Sequence, residues 1–364
     1  MYFTRLFRIS IGIILLMAGH LTHAEPMLNG IGVQQELGQE VFIGALYAES
    51  LSNNADTLIS TNQPARMELK IASAEGMTTR RFSRMWIEGM AINSKADVLT
   101  AQADNMVKFD SLFKGRFLKD DHIVFANTPD RGVNVSVNGV LLGNIKDNLF
   151  FSMLLSTWIG KIPLSSDYRD SLLKVGDVNA TLRTRFDGIK PNAARVAEIN
   201  TWSGAGAQVA AVKSSAAASK ASSSTPAAEK PVAAVAAPVA KPVVTPAAPV
   251  KVVEEDDDGS ALTAQSLLAR QFYVSDAIKK IRSKTKYPQR ALDRGQAGNV
   301  RVGIVIDRQG NIISTNVLEN SKFDLLNKEA IDAIKRSAPF PALPTEITGA
   351  RFEFSVPMRW TLPE

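Results

Sequence analysis

A long segment from Gly204 to Ser260 divides the chain and limits where compact structure can form. It consists mainly of Ala, Ser, Val, Pro and Lys and contains no aromatic residue. Its prolines recur at Pro226, Pro231, Pro238, Pro242, Pro246 and Pro249. Each proline removes a backbone donor and fixes φ, and the few large apolar side chains cannot offset the entropy lost on ordering. We therefore predict a disordered, semi-extended tether over residues 204–260, with a folded domain on either side.

The first 24 residues have the pattern of an export signal. Arg5 and Arg8 precede an apolar run from Ile9 to Ala18, and small and polar residues follow up to Ala24. This order predicts a signal peptide over residues 1–24 that is cleaved after Ala24, and hence a periplasmic protein. The alternative is an uncleaved inner-membrane anchor, although a spanning helix needs about 20 apolar residues and this run is shorter.

Composition narrows the functional classes. The 364 residues include no cysteine and three histidines, of which only His122 lies beyond the predicted signal. This excludes disulfides, thiolate nucleophiles and cysteine metal sites, and it leaves few groups for nucleophilic or metal catalysis. The formal net charge of +6 is not gathered into a Lys/Arg block, so we expect no nucleic-acid partner. We expect a protein that is not an enzyme and that binds no metal or cofactor.

The region before the tether mixes strand and helix patterns. Alternating apolar residues over Arg66–Ile71 and Gly132–Val137 predict strands, and Asn138-Gly139 predicts a hairpin turn because both residue types tolerate positive φ. Helical periodicity covers Met77–Ala91 and Leu149–Ile159. This order predicts an α+β fold.

The region after the tether predicts a small antiparallel sheet with helices on one face. Its predicted elements are helical turns over Ser275–Ile281, strands over Val300–Ile306 and Ile312–Leu318, a helix over Phe323–Ser337 and a strand over Arg351–Leu362.

Short motifs follow one another after the tether in a particular order and spacing. They are Tyr287-Pro288 with Ala291, Gly298-x-Val300-x-Val302, Ile306-Asp307-x-x-Gly310, Leu325-Leu326 with Ala330, and Pro339-Phe340-Pro341. Together they resemble the TonB C-terminal domain family over residues 267–364, within a predicted domain at 261–364. Two positions depart from the family pattern: Asn327 stands where an Asp is frequent, and Lys284-Thr285 replaces a Gln-Pro pair near the receptor contact.

The resemblance implies a binding function without catalytic side chains. A peptide of an outer-membrane TonB-dependent transporter, or of another envelope protein, would pair with the exposed edge of the last strand, Arg351–Trp360. The candidate partner-binding residues are Arg282, Lys284, Tyr287, Arg351, Glu353 and Ser355. For Phe352, Phe354 and Val356 core packing is the favoured explanation of the alternation, because apolar residues at period-2 positions normally face the core. An uncleaved N-terminus would allow coupling to the ExbB–ExbD motor.

Four motifs carry a second resemblance, before the tether. They are Leu28-Asn29-Gly30-x-Gly32, residues 41–47, Val133-x-Val135-x-Val137-Asn138-Gly139, and residues 158–163 with Leu172-Leu173. They resemble the bacterial chalcone-isomerase-like group over about residues 27–190, within a predicted domain at 25–203. The family implies an open-faced β-sandwich, in which a large sheet has helices packed on one side.

The same resemblance implies a site between sheet and helices. True isomerases carry an arginine where this chain has Gln34, and a neutral amide cannot supply that charge. Inactive relatives are thought to bind fatty acids or other apolar ligands, and the candidate ligand-binding residues are Gln34, Phe42, Leu46 and Trp86. An ordinary packed core is the favoured explanation of these apolar residues. Two functions stay open: a TonB-like protein of energy-coupled nutrient transport, and a periplasmic carrier of an apolar ligand.

Overall fold

The computed structural model describes residues 25–203 and 262–363. The predicted signal peptide at 1–24 and the predicted tether at 204–260 lie outside the described residues. Within the two described ranges, no helix is both long enough and apolar enough to cross a membrane.

The first described range is an α+β domain, as predicted. Its strands are β1 Met27–Glu36, β2 Gln39–Ala48, β3 Ala65–Ile71, β4 Met77–Thr78, β5 Arg116–Phe117, β6 His122–Thr128, β7 Gly132–Val137 and β8 Val140–Ile145. Its helices are α1 Ala55–Ser60, α2 Thr79–Asn93, α3 Ala96–Ala101, α4 Ala103–Ser111, α5 Asn148–Ile159, α6 Ser166–Leu172, α7 Ala180–Gly188 and α8 Ala193–Asn200. Six strands form one sheet in the order β1-β2-β3-β6-β7-β8, with antiparallel neighbours throughout.

Helices cover the sheet unequally. On one face, α2 and α5 bury Trp86 and Trp158 against the strands, in the main hydrophobic core. On the other face, Phe186 of α7 packs against Ile43 and Tyr47 of β2. The predicted open-faced sandwich is therefore confirmed for the main core, and within residues 25–203 one short helix, α7, covers part of the second face.

Local signals correctly predicted four of these elements, β3, β7, α2 and α5. The two predicted strands are β3 and β7, and the predicted turn between β7 and β8 has φ of 54° at Asn138 and 80° at Gly139. Helix α2 begins at Thr79, two residues after the predicted start, because Met77 and Thr78 form β4. The Thr78 hydroxyl accepts a hydrogen bond from the Arg81 N–H and caps the helix.

Glycine allows α6 to lie directly on the sheet. A Cβ at Gly44 of β2 would stand 1.6 Å from the Tyr168 hydroxyl oxygen, and one at Gly30 of β1 would stand 2.3 Å from the carbonyl oxygen of Leu172. Tyr168 is 1% exposed and stacks edge-on against Phe42. The close approach of α6 therefore depends on the absence of side chains at these strand positions.

The second described range is a three-stranded antiparallel sheet with helices on one face. Its elements are α9 Ala264–Lys284, α10 Gln289–Asp293, β9 Gly298–Asp307, β10 Ile312–Glu319, α11 Asp324–Ser337 and β11 Arg351–Trp360, and the strand order is β10-β9-β11. Phe352, Phe354 and Val356 are buried in the core of this domain, which confirms the core-packing interpretation of their alternation.

Helix α9 is much longer than the predicted turns at Ser275–Ile281. It begins at a capping box formed by Thr263 and Ser266, and its first half is buried in the core of the first domain through Leu267 and Gln271. The Gln271 amide donates a hydrogen bond to the Met106 sulfur at 3.2 Å. Its second half completes the core of the second domain. Sequence analysis did not predict the first half of α9, because the apolar face of that half packs against another domain.

We predict that Gly44→Ala lowers the free energy of unfolding by about 3 kcal/mol, because the added methyl group collides with Tyr168. The urea-unfolding midpoint of the full chain measures this loss. In the double variant with Tyr168→Phe, part of the stability should return, since the removed hydroxyl has no hydrogen-bond partner among the described residues.

Gly188→Ala is the matched control, because a Cβ at Gly188 meets no atom within 4 Å. An equal effect of the two glycine substitutions would contradict the close-approach argument.

Candidate partner-binding site

Strand β11 lies at the edge of its sheet, and among the described residues it pairs only with β9, on its inner side. The register from Arg351 to Trp360 runs without a bulge, so alternate residues point their N–H and C=O groups to the same side. The Ser355 N–H donates to a residue outside the sheet, which marks the outward-facing set. Glu353, Ser355, Pro357 and Arg359 therefore present their backbone groups to the free edge.

Glu88 of α2 occupies the middle of this edge. Its carboxylate accepts a hydrogen bond from the Ser355 N–H at 3.0 Å and a second from the Ser355 hydroxyl at 2.5 Å. Glu88 is 3% exposed. Burial raises its pKa to about 7, although Arg84 and the bonds from Ser355 act in the opposite direction. The first domain thus provides an acceptor for the edge of the second domain.

A neighbouring ion pair extends this contact. Arg84, one turn before Glu88 on α2, forms an ion pair with Glu353 of β11. Arg351 is exposed. Of the three partner-binding candidates on β11, Glu353 and Ser355 therefore contact the first domain, and Arg351 faces solvent.

The hairpin between β1 and β2 holds the sheet at a second point. Arg301 of β9 is 4% exposed and donates to Glu36 at 2.6 Å, while Arg81 of α2 forms an ion pair with the same carboxylate. Burial alone would raise the pKa of Glu36, but Arg301 and Arg81 outweigh it and lower the pKa to about 2. Beside this pair, the Leu37 N–H donates to the Leu318 carbonyl at 2.7 Å. The face of the sheet opposite its helices is therefore a docking face for the first domain.

The second half of the β11 edge borders a cleft of about 520 Å³ between the domains. Residues 357–361 of the second domain and residues 161–164 of the first domain line this cleft. The basic residues in the lining are Lys161, Arg282, Lys286, Arg301 and Arg359. Glu319 is the one acidic residue among the described residues that line it. The cleft therefore favours anionic groups.

The remaining partner-binding candidates divide between the cleft and the surface. Arg282 and Tyr287 line the cleft, and the Tyr287 hydroxyl donates to the Gln296 carbonyl at 2.7 Å. Lys284 is exposed and does not line the cleft, and its carbonyl accepts a hydrogen bond from Arg336 at 3.0 Å. The structure thus brings Arg282 and Tyr287 beside the end of β11 and leaves Lys284 apart.

The ligand-binding candidates lie together on the helix side of the large sheet. Gln34 is 3% exposed, pairs across the strands with Phe42 and donates its amide to the Gln35 carbonyl. Phe42, Leu46 and Trp86 are between 0% and 1% exposed in the main core. In the described parts of the chain, no group of three or more acidic or histidine side chains is placed to hold a metal ion.

Sequence reasoning missed the residues that hold the domains together. Glu88 and Arg301 each interrupt an apolar stretch, and a charge in such a position is a signal that could have been noticed. Their partners, Ser355 and Glu36, are 267 and 265 residues away in sequence. No local pattern connects residues at such separations.

We predict that Glu36→Gln lowers the free energy of unfolding at pH 7 by about 3 kcal/mol, because it leaves Arg301 buried without its counter-charge. In the folded state the Glu36 carboxylate has a pKa of about 2. Its contribution to the free energy of unfolding is therefore fully present above pH 4.5 and is lost as the pH falls from 4.5 to 2. Urea titrations at pH 7 and pH 3 should show the difference from the unmodified chain shrinking at the lower pH.

Glu40→Gln in the same hairpin is the control, since Glu40 pairs with the exposed Arg185 and should contribute no more than about 1 kcal/mol. A Glu36→Gln effect as small as that of the control would contradict a buried ion pair at the interface.

The comparisons with known proteins divide the chain in the same way. Residues 12–174 match the family model described as chalcone isomerase-like, and residues 283–362 match that of the Gram-negative bacterial TonB protein C-terminal. The TonB proteins of two Helicobacter pylori strains are each 32% identical over 84 residues, which is 23% of this chain. The match spans only 29% and 28% of the length of those relatives.

Two solved structures are similar to separate parts of the chain. A crystal structure of an Arabidopsis thaliana fatty-acid binding protein has a TM-score of 0.34 and 19% identity, and the match covers 46% of this chain and 90% of that one. An NMR structure of the Helicobacter pylori TonB C-terminal domain has a TM-score of 0.22 and 27% identity, covering 28% and 86%. The chain therefore joins a segment that matches the chalcone isomerase-like family to one that matches the TonB C-terminal family.

Proposed function

We propose that this chain is a TonB-like protein of the cell envelope that binds an extended segment of an outer-membrane transporter by strand addition at β11. The similarity of residues 283–362 to the TonB C-terminal domain suggests the envelope transport role. The observation that carries the proposal is the free edge of β11 beside the basic cleft. Under this proposal the protein acts in the periplasm, and coupling to an ExbB–ExbD motor requires that residues 1–24 stay attached as an anchor.

The geometry favours pairing that begins at the end of the strand. Arg359 is exposed and lies four residues after Ser355, so its N–H and C=O point to the same open side. Pro357 between them has no N–H to leave unpaired. An incoming strand could therefore pair at Arg359 without first displacing Glu88.

The cleft indicates the chemistry of the partner. Lys161 and Arg282 line the same cleft as Arg359 at the end of β11, so acidic side chains or a carboxylate on the bound segment would be attracted. Main-chain pairing would supply affinity with little sequence dependence, and the basic lining would supply selectivity.

We also propose that the chain has no catalytic role. Gln34, at the position where isomerases carry arginine, is neutral and already donates its amide to the Gln35 carbonyl. A turnover assay of the full chain with a chalcone substrate tests this, and isomerisation above the uncatalysed rate would reject it.

We predict that a photo-reactive benzoylphenylalanine at position 359 cross-links, in cells, to a periplasmic segment of an outer-membrane transporter. The reason is that Arg359 stands at the accessible part of the free edge. Mass spectrometry of the cross-linked peptide identifies the partner and the residues in contact.

The matched control is the same amino acid at position 316, where the exposed Asn316 lies on β10, the opposite edge of the sheet. Equal cross-linking from both edges, or none from position 359 under conditions in which the transporter is active, would reject strand addition at β11.

A second function is favoured by one observation in the first domain. The buried polar atoms of the first domain that have no hydrogen-bond partner among the described residues include the indole nitrogens of Trp86 and Trp158 and the hydroxyls of Thr157 and Tyr168. Unsatisfied polar atoms in a core are costly, and the polar head of an apolar ligand inserted there would satisfy them. The alternative proposal is a periplasmic carrier of a fatty acid or a similar ligand.

If the first domain is a carrier, palmitate should change the tryptophan fluorescence of the full chain in a saturable manner. Trp86→Phe should weaken binding several-fold, because it removes one donor from the core. Trp202→Phe is the control, since Trp202 packs at the periphery of the core. An unchanged spectrum, or equal effects of the two substitutions, would reject the carrier function.

A further inference from the structure

The centre of the β11 edge is already engaged within the chain. Ser355 is 5% exposed, and its N–H and its hydroxyl both donate to Glu88. A strand that pairs along β11 needs the outward N–H of Ser355, because Pro357 offers none. The Glu88 carboxylate therefore occupies the same donor that a partner strand would use.

The flanking contact on α2 blocks the adjoining part of the edge. Arg84 forms its ion pair with Glu353, which is the next outward-facing residue of β11. Helix α2 thus lies against the half of the edge that contains Glu353 and Ser355, and the other half opens to the cleft.

We propose that the face of α2 carrying Arg84 and Glu88 is an internal competitor for the β11 edge, so that a partner strand pairs along the whole of β11 only after this face has been displaced. This inference rests on the proposed function, since it concerns access to the same edge. The first domain then acts as a regulator of the docking module.

Helix α9 holds the two domains together during such a displacement. Its first half is buried in the first domain through Leu267 and Gln271, and its second half is buried in the second domain. Only the contacts of Glu353 and Ser355 with α2 need to break, because α9 and the ion pair between Arg301 and Glu36 keep the two domains together. The opening is therefore local and does not require the domains to separate.

The charges around Glu88 make this closure dependent on pH. Glu88 faces Arg84 on its own helix, Arg301 on β9 and Glu353 on β11. Its pKa is about 7 when closed and returns to about 4.5 when exposed, so the closed state binds more protons between these values. Closure therefore weakens as the pH rises from 4.5 to 7 and changes no further above 7.

Two other interface carboxylates titrate as well. Burial raises the pKa of Glu319, so its ionisation opposes closure in the same direction as that of Glu88. Glu36 acts in the opposite direction, but its pKa of about 2 confines its effect to the range below pH 4.5. Above pH 5, the pH dependence should therefore come from Glu88 with a smaller part from Glu319.

Amide hydrogen exchange of the full chain, with no partner added, tests the closure. After correction for intrinsic exchange, we expect the protection of the Ser355 amide to fall by about fifty-fold between pH 5 and pH 7.5. Glu88→Gln should keep the protection at pH 7.5 close to its value at pH 5, because the neutral amide still accepts from the Ser355 N–H. Glu88→Ala should lower the protection at both pH values.

Two controls separate the closure from general destabilisation. The Val135 amide in the inner strand β7 should keep its protection in every variant, and Glu319→Gln should leave most of the pH dependence intact. The proposal would be overturned if Glu88→Gln showed the same pH dependence of Ser355 protection as the unmodified chain. It would also be overturned if the Ser355 amide were as protected in Glu88→Ala as in the unmodified chain. Because no partner is present, this result is independent of the cross-linking at position 359, which tests strand addition itself.

Discussion

The double burial of helix α9 determines how the two domains meet. Leu267 and Gln271 belong to the core of the first domain, and Ile278 and Ile281 belong to the core of the second. A helix buried from both sides fixes the distance between the cores it joins, because protein interiors do not tolerate gaps. With α9 in place, the open face of the three-stranded sheet comes to lie on α2 and on the hairpin after β1.

The pKa values of two carboxylates at the docked interface are shifted in opposite directions. Glu36 has two arginine partners and is held ionised, whereas Glu88 is more deeply buried and its pKa rises to about 7. The difference follows from the balance between desolvation and neighbouring charge. One acid therefore anchors the interface at neutral pH, and the other makes it sensitive to pH. The β11 edge falls between them, covered at Ser355 and open at Arg359.

Within each domain, the sequence predicted the elements that depend on local patterns. The strands β3 and β7 and the turn at Asn138-Gly139 follow from alternation and from backbone tolerance of positive φ. Candidate site residues were less predictable. Arg282 and Tyr287 line the cleft, but Glu353 and Ser355, which were predicted to contact a peptide, are bound by α2. This contact could not be predicted, because no residue near them in the sequence indicates a partner on another domain.

The sequence by itself determined the α+β class of both domains, the burial of alternate residues such as Phe354, and the similarity to two families. These features depend on periodicity and on motifs of a few residues. Only the tertiary structure decided the length of α9, the docking of the second sheet on the first domain and the occupation of Ser355 by Glu88. Those contacts join residues 165 to 267 positions apart, and they are selected by the fit of two preformed surfaces, which no local pattern encodes.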